Sequence, residues 1–441
     1  MNQQSTSAAS LAAATPTDRD RYVDFLRVFS IGVVVLGHWL MAVVEVRPGG
    51  VRVGNVLAEA PAAHYLTWLL QVMPLFFFVG GFAHATGVRS VAARGGGYAD
   101  FVRARVDRLL RPTAVFLAVW TVLAVGLELT GHQDGVGRIA SRTIVQPLWF
   151  IGVYLGVMAL APLMYRWHVR HGAAVPVVLF AAAVGVDAAR FGLGLDALGA
   201  LNLAFVWLAV HQLGFRYADG ALTRRVAAVM AVAGLLCVLA LTVVTGLYPV
   251  SMVGLPGARV SNMSPPTVAL AAHAVWLVGL AVLLRAPMSR WLQDRRVWTV
   301  VVGANGVVMT TFLWHLTALF AGHAVLVAGD LPVPATGSGG WWLSRPLWIV
   351  LLALVTAALV SLFRGAEGLR RAAVTGGGAA SLAGLAAAGT CLGILGIALT
   401  GLDGVLAGRS ITMFAIPMTA TGGLALTATG WLLLRYGALL R

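Results

Sequence analysis

The sequence contains no lysine and little charge of either sign. Its 441 residues include 31 arginines and 16 acidic residues; 11% of the chain is charged, whereas 59% is hydrophobic. Soluble domains carry about 25% charged residues, so this composition excludes an ordinary soluble protein and predicts a chain that crosses a membrane several times. The net charge of +15 does not indicate nucleic-acid binding, because the arginines cluster between apolar segments.

Cysteine is also scarce. Cys237 and Cys391 both lie in apolar segments, which excludes a disulfide framework and a cysteine-based metal site. No histidine or carboxylate cluster has metal-ligand spacing, so no metal is expected, and neither G-x-S-x-G nor a phosphate-binding glycine loop is present. Residues 1–18 lack the order of a signal peptide and are predicted to be a disordered cytoplasmic tail.

Long apolar segments dominate the rest of the chain. They predict an all-α polytopic membrane protein of about 12 transmembrane helices, because roughly 20 apolar residues cross a bilayer. The predicted spans are 22–46, 64–87, 112–130, 147–165, 173–189, 198–215, 226–246, 267–284, 298–327, 342–363, 379–400 and 411–434. Segment 298–327 is longer than one span needs, which predicts a tilted or broken helix.

The arginines between these segments predict the orientation. With both termini in the cytoplasm, 22 arginines lie on the cytoplasmic side and 8 on the other, and Arg27 lies inside the first segment. Positive residues favour the cytoplasmic side, so this alternation predicts a multi-pass protein of the plasma (inner) membrane.

The first segment carries a polar stripe. His38 follows Arg27 by 11 residues, which in a helix returns the direction to within about 20°. Asp24 and Glu45 fall near the same face. Charged groups inside a bilayer are costly and indicate a functional site. Alternatively, Asp24, Arg27 and Glu45 sit at the headgroup boundaries, but this does not explain His38 in the middle.

Two arginines precede the third segment. Arg105 and Arg108 are three residues apart, so on a short helix before Pro112 they face the same way and suit a phosphate or carboxylate. The alternative is a purely topological role with attraction to anionic lipid. In the second segment, Gly80 and Gly81 permit close helix approach or make room for a ligand.

Further polar groups fall within apolar segments. His84, His211 and His273 are interpreted as structural residues that bridge helices by hydrogen bonds. His315 has an open interpretation. Together with Glu45 and Trp149, it is a candidate for an acceptor-side or a structural role.

Several motifs together resemble acyltransferase family 3. YVDFLRVFSIGVVVLGHWL holds its Arg-x10-His signature, FFFVGGF is similar to its second-helix motif, and Arg105-x-x-Arg108 is similar to its Arg-x-x-Arg motif. PLWFIGVYL and FLWHL resemble its fourth-helix and late-helix signatures. Gly80 departs from the family, which commonly has serine there. The resemblance covers residues 19–365, a ten-helix membrane domain, and leaves two additional C-terminal helices in residues 366–441.

The resemblance implies a membrane O-acyltransferase. It would move an acyl group, acetyl in particular, from cytoplasmic acyl-CoA to a hydroxyl of an extracytoplasmic glycan, glycolipid or related acceptor, with membrane lipids around it and no permanently bound cofactor. It implies His38 as the catalytic residue with Arg27 as its partner, and Arg105 and Arg108 as the donor-binding pair. Asp24 is expected to neutralise Arg27 or a neighbour within the catalytic group.

Two points stay open from the sequence. An imidazole at position 38 can act as a general base or can carry the acyl group itself. A transporter or exporter of a small anion or lipid-linked sugar also fits twelve helices with intramembrane charges, although no internal repeat supports it. A non-catalytic scaffold would leave the Arg27–His38 face unexplained.

Overall fold

The computed structural model of the chain describes residues 8–47, 50–131, 136–368, 379–413 and 416–436. Within them the fold is almost entirely helical, and eleven helical stretches are long and apolar enough to span a bilayer. The predicted all-α polytopic membrane protein is therefore confirmed. The last predicted segment contains a helix of 17 residues, Ala420–Tyr436.

Seventeen helices and four strands occur in the described residues. The helices are α1 Ala8–Ala13, α2 Arg21–Met41, α3 Leu66–Leu70, α4 Met73–Ala93, α5 Tyr98–Leu129, α6 Val136–Thr143, α7 Leu148–His171, α8 Ala174–Leu193, α9 Asn202–Ala218, α10 Arg224–Leu239, α11 Val268–Trp291, α12 Arg295–Asn305, α13 Val308–Ala328, α14 Gly339–Phe363, α15 Gly365–Gly368, α16 Ala380–Thr400 and α17 Ala420–Tyr436. The strands form two antiparallel hairpins, β1 Ala42–Arg47 with β2 Gly50–Asn55 and β3 Ser410–Met413 with β4 Ile416–Thr419.

The chain divides into two compact units. The first consists of Met1–Gly37, Pro61–Thr86 and Leu163–Val308. A backbone carbonyl serves as an acceptor between its helices: the Tyr22 hydroxyl of α2 donates to the Ala281 carbonyl of α11 at 2.7 Å. In a membrane such internal partners replace the water that would otherwise satisfy polar groups.

The second unit consists of His38–Ala60, Gly87–Pro162 and Met309–Arg441. Its centre is α5, against which α15, α16 and α17 pack. Glu128, at the end of α5, accepts hydrogen bonds from the backbone N–H groups of Gly404, Val405 and Leu406 at 2.6 to 2.9 Å. The two C-terminal helices are thus fixed to the rest of this unit at an end of α5.

The structure corrects three predicted boundaries and shows that segment 298–327 is broken, one of the two forms predicted for it. The first helix ends at Met41, and the residues to Arg47 form a strand instead of continuing the helix. Arg105 and Arg108 lie not on a short helix that ends before Pro112 but in the continuous 32-residue helix α5, which passes through Pro112. Segment 298–327 is broken between α12 and α13. The segment predicted at 411–434 begins as the second hairpin.

The predicted disordered tail is wrong for part of its length. Residues 8–13 form helix α1, which packs against α12. Thr15 accepts a hydrogen bond from the Trp298 indole N–H at 2.9 Å, which ties this segment to the first unit. Residues 1–7 lie outside the described residues.

Candidate active site

Two histidines that are 277 positions apart form a hydrogen-bonded pair in the second unit. His38 lies in the last turn of α2 and His315 lies in α13, with 2.7 Å between His38 Nδ1 and His315 Nε2. The rings are nearly parallel, with 5.0 Å between their centroids. His315 is completely buried, whereas His38 is half-buried. Of the two rings, His38 is therefore the more exposed.

The hydrogen bond between His315 and Phe312 determines which ring nitrogens of the pair carry protons. His315 Nδ1 lies 2.6 Å from the Phe312 carbonyl oxygen, which can only accept, so Nδ1 carries a proton. In the neutral ring, His315 Nε2 then accepts from His38 Nδ1–H. The neutral His38 ring consequently keeps its lone pair on Nε2. The pair thus fixes an imidazole base at one defined atom.

The backbone around the pair is also held. The indole N–H of Trp39, the residue after His38, donates to the His315 carbonyl at 3.1 Å. One turn of α2 and one turn of α13 are therefore joined both by the two imidazoles and by this second hydrogen bond. Such support restricts the orientation of a catalytic ring.

Arg105 lies across a glycine. Its guanidinium carbon is 3.9 Å from the centroid of the Phe101 ring, one turn earlier in α5, and a guanidinium nitrogen occupies the space that a Cβ on Gly87 would take. Any side chain at residue 87 would therefore displace the guanidinium. Stacking on an aromatic face restricts the orientation of a guanidinium. The planar arginine side chain adopts this arrangement more readily than lysine does.

Arg108 acts electrostatically on a half-buried carboxylate. Glu367 in α15 feels the positive charge of Arg108, and it accepts hydrogen bonds from both the N–H and the hydroxyl of Thr310. Thr310 is the third residue of α13, so this carboxylate satisfies a helix N-terminus. Burial raises the pKa of Glu367, and the bonds from Thr310 together with Arg108 oppose that rise.

The arginine of the first helix is neutralised within the first unit. Asp24 is buried and accepts from Arg27 at 3.3 Å and from Arg19 at 2.5 Å. The expectation that Asp24 neutralises Arg27 or a neighbour agrees with these contacts. Its assignment to the catalytic group remains a prediction, because the contacts are those of a structural ion pair.

A family model described as an acyltransferase domain matches residues 20–364. The chain belongs to acyltransferase family 3. A search of curated proteins and a search of solved structures each found no match. Glu367 lies just beyond the matched residues, whereas the two histidines, Arg105 and Arg108 lie within them.

Two further predicted site residues of this acyltransferase, Glu45 and Trp149, lie in β1 and at the start of α7. Glu45 does not share the helical face of His38, because it lies in β1, where its backbone pairs in register with Arg52. Trp149 is half-buried at the start of α7. The neighbouring Phe150, rather than Trp149, contacts Phe312, with 5.5 Å between ring centroids.

Three further histidines of the acyltransferase, His84, His211 and His273, form hydrogen bonds within the first unit. His84 Nδ1 lies 2.9 Å from His211 Nε2, and both rings are buried. His273 Nε2 lies 2.6 Å from the Trp68 carbonyl oxygen, to which it donates. These contacts agree with the structural role predicted for all three. Among the described residues no group of three His, Cys, Asp or Glu side chains could hold a metal ion.

Sequence reasoning missed the groups that surround the predicted residues. Glu367 follows the tenth predicted span in an arginine- and glycine-rich stretch, and nothing in its spacing points to Thr310. Phe101 could have been found, because an aromatic residue four positions before Arg105 shares its helical face. Gly87 carries no such signal, since its importance arises only from the Arg105 guanidinium that packs against it.

Proposed function

We propose that this chain is a membrane O-acyltransferase that moves an acyl group, acetyl in particular, from cytoplasmic acyl-CoA to a hydroxyl of an extracytoplasmic glycan, glycolipid or related acceptor. The single observation that carries the proposal is the His38–His315 pair. It leaves a lone pair on His38 Nε2, in a half-buried position within the membrane domain. A proton acceptor held in this way is what an attacking hydroxyl needs.

The order of groups along α13 supports a donor side and an acceptor side. Thr310, with Glu367 and Arg108 beside it, lies at the start of the helix, and His315 follows five residues later, or about 7.5 Å along the axis. The positively charged residues that flank the spans support a cytoplasmic position for this start. Arg108 and Arg105 would there bind the phosphates of an acyl-CoA by charge-assisted hydrogen bonds.

The proposed reaction uses few protein groups. The acceptor oxygen attacks the thioester carbonyl carbon while its proton moves to His38 Nε2. The carbon–sulfur bond then breaks, the new ester forms, and the thiolate takes up the proton. His315 keeps the His38 ring in the required tautomer and shares the positive charge that develops on it.

The same lone pair also permits a stepwise route, in which His38 first accepts the acyl group and then passes it to the hydroxyl. The two routes differ in what labelled acetyl-CoA does without an acceptor. Label retained by the parent protein and lost in His38→Ala indicates the acyl carrier. No retained label, with transfer intact once acceptor is added, indicates the general base.

The experiment that tests the function supplies labelled acetyl-CoA to membranes that contain the protein together with surface glycans and lipids. Comparing their masses with and without the gene identifies the acceptor. His38→Ala is expected to lower transfer by about 10²- to 10⁴-fold, the usual contribution of a general base. Leu36→Ala, an exposed position on the same helix, is the matched control and should transfer like the parent.

Two results would contradict the proposal. One is His38→Ala protein, present at normal levels, that transfers label as well as the parent. The other is transport of a small anion or lipid-linked sugar across proteoliposomes in the absence of any acyl donor, which would indicate a transporter instead.

A further inference from the structure

The second unit contains a cavity of about 630 Å³ beyond the histidine pair. It is lined by the first three residues of β1, by the end of α13 and the loop after it, and by the start of α14. Small-molecule sites occupy roughly 300 to 1,000 Å³, so the cavity has room for a monosaccharide or disaccharide.

One wall of the cavity holds a buried cation. Arg345 is 8% exposed, and its guanidinium carbon lies 4.2 Å from the centroid of the Trp341 ring. It donates to the Trp341 carbonyl and to the Ser344 hydroxyl, each at 3.2 Å. Neither acceptor is charged, and the described part of the chain gives Arg345 no salt bridge. A buried guanidinium of this kind attracts an anion.

The cavity also offers groups for hydroxyls. His323 Nδ1 donates to the Leu319 carbonyl at 2.9 Å, so in the neutral ring its Nε2 is an acceptor. The carboxylate of Asp330 is a second acceptor at the lining. Trp348 is 6% exposed, and its indole N–H is buried without a hydrogen-bond partner among the described residues, which makes it an unused donor.

Both helices of the histidine pair lead to this cavity. Ala42, at its lining, follows His38 by four residues. His323 follows His315 by eight residues, which is about 12 Å along α13. Along α13 the order is therefore the Glu367–Thr310 contact at the start, the histidine pair in the middle and the cavity at the end.

We propose that this cavity is the acceptor site of the acyltransferase and that it binds an acidic sugar, whose carboxylate or phosphate pairs with Arg345 and whose hydroxyls bond to His323 and Asp330. The proposal rests on the proposed function for the word acceptor, but the binding itself needs no acyl donor. A neutral sugar would leave the guanidinium without a counter-charge, and a bare anion would leave the hydroxyl acceptors unused.

Calorimetric titration of the full chain in lipid nanodiscs tests the binding. The probes are glucuronate, glucose 6-phosphate, glucose and inorganic phosphate. At least one acidic sugar should bind about tenfold or more tightly than glucose and than phosphate, since a hydrogen bond to a charged group contributes that much. Which acidic sugar binds more tightly distinguishes a carboxylate from a phosphate.

Variants link the binding to the named groups. Arg345→Gln should remove the preference for acidic sugars, and Trp348→Phe, which removes the N–H donor together with part of the ring system, should weaken binding several-fold. Trp342→Phe, an exposed neighbour outside the lining, should bind like the parent. Glucose binding as tightly as both acidic sugars, inorganic phosphate binding as tightly as the tighter acidic sugar, or unchanged selectivity in Arg345→Gln would overturn the proposal.

Transfer assays separate this inference from the function. Binding that depends on Arg345, without any acyl transfer by the parent, would support the cavity and contradict the acyltransferase mechanism. Acyl transfer that depends on His38 but not on Arg345, to an acceptor without an acidic group, would leave the mechanism intact and overturn the acidic-sugar site.

Discussion

Two histidine pairs among the described residues have nearly the same spacing but different ring angles and different surroundings. His38 and His315 are 2.7 Å apart in the second unit, and His84 and His211 are 2.9 Å apart in the first. In the second unit His315 donates to the Phe312 carbonyl, and His38 is half-buried. In the first unit both rings are buried, and His211 Nδ1 has no partner among the described residues.

The difference shows that the environment of a histidine pair decides what it can do. A carbonyl at one end fixes the tautomers of the whole pair and leaves one accessible lone pair. A pair that is enclosed on both sides has no route for a reactant. It joins two helices that already lie close together, because Gly81 and Gly214 allow their backbones to touch.

The largest expected effect separates the two pairs by activity. His315→Ala should lower kcat by about 10²-fold or more, because His38 loses the acceptor that fixes its tautomer, while donor KM changes little. His211→Ala, the matched change in the other pair, should lower thermal stability and leave kcat per folded molecule within about twofold. The measurement is single-turnover transfer together with a melting curve for each variant.

Equal losses of kcat in the two variants would contradict the comparison, since they would place the first-unit pair in the chemistry. A His315→Ala protein with normal kcat would show that His38 needs no partner to act.

The next effect tests the close packing around the first-unit pair. A Cβ on Gly81 would collide with the His211 carbonyl and meet the Cα of Gly214 at 3.0 Å, so Gly81→Ala should destabilise the protein by about 1–3 kcal/mol. Gly32→Ala is the control, because a Cβ there meets nothing within 4 Å. Thermal unfolding in detergent measures both variants. Equal melting temperatures would show that the two helices can move apart at Gly81 without loss of stability.

A smaller effect concerns Arg105, on the proposed donor side of the His38–His315 pair. Gly87→Ala should displace the Arg105 guanidinium and raise the KM for acyl-CoA by about fivefold to tenfold, as expected for loss of one charge-assisted contact. Arg105→Ala should raise it similarly, and combining the two changes should add little. Gly126→Ala, in an open part of α5, is the control. An unchanged KM in Gly87→Ala would separate the position of Arg105 from donor binding.

Much of the fold could be predicted from the sequence, because a membrane span is encoded locally by a long apolar run. The failures have local reasons too. Residues 42–47 are apolar enough to extend the first helix, but their β-branched valines and the Pro-Gly pair that follows favour a hairpin, a signal that hydropathy does not register. Pro112 resembles a helix break, yet α5 continues through it.

The candidate site was less predictable than the fold. Helical periodicity singled out His38 and the Arg105–Arg108 spacing, because each is a pattern within one helix. The partner of His38 is 277 positions away, and several apolar segments carry a histidine, so no local pattern pairs His315 with His38. Arg345 lay among the outer arginines counted for topology, and its cavity exists only once α13 and α14 pack together.

The smallest expected effect is a pH dependence at Glu367, which binds the start of the helix that carries His315. Burial raises the pKa of Glu367, so the folded state holds its proton more tightly than the unfolded state does. Its contribution to stability is therefore fully present below the ordinary glutamate pKa of about 4.5 and is lost as the pH rises through the higher folded pKa. Glu367→Gln keeps an oxygen for Thr310 but cannot titrate.

The melting temperature of the parent should thus fall more than that of Glu367→Gln as the pH rises above about 4.5. Glu367→Leu removes the acceptor as well, so it should loosen the start of α13 and lower kcat, whereas Glu367→Gln should not. Parallel pH profiles for parent and Glu367→Gln would contradict the raised pKa. Equal kcat for the glutamine and leucine variants would show that the helix carrying His315 is held without this carboxylate.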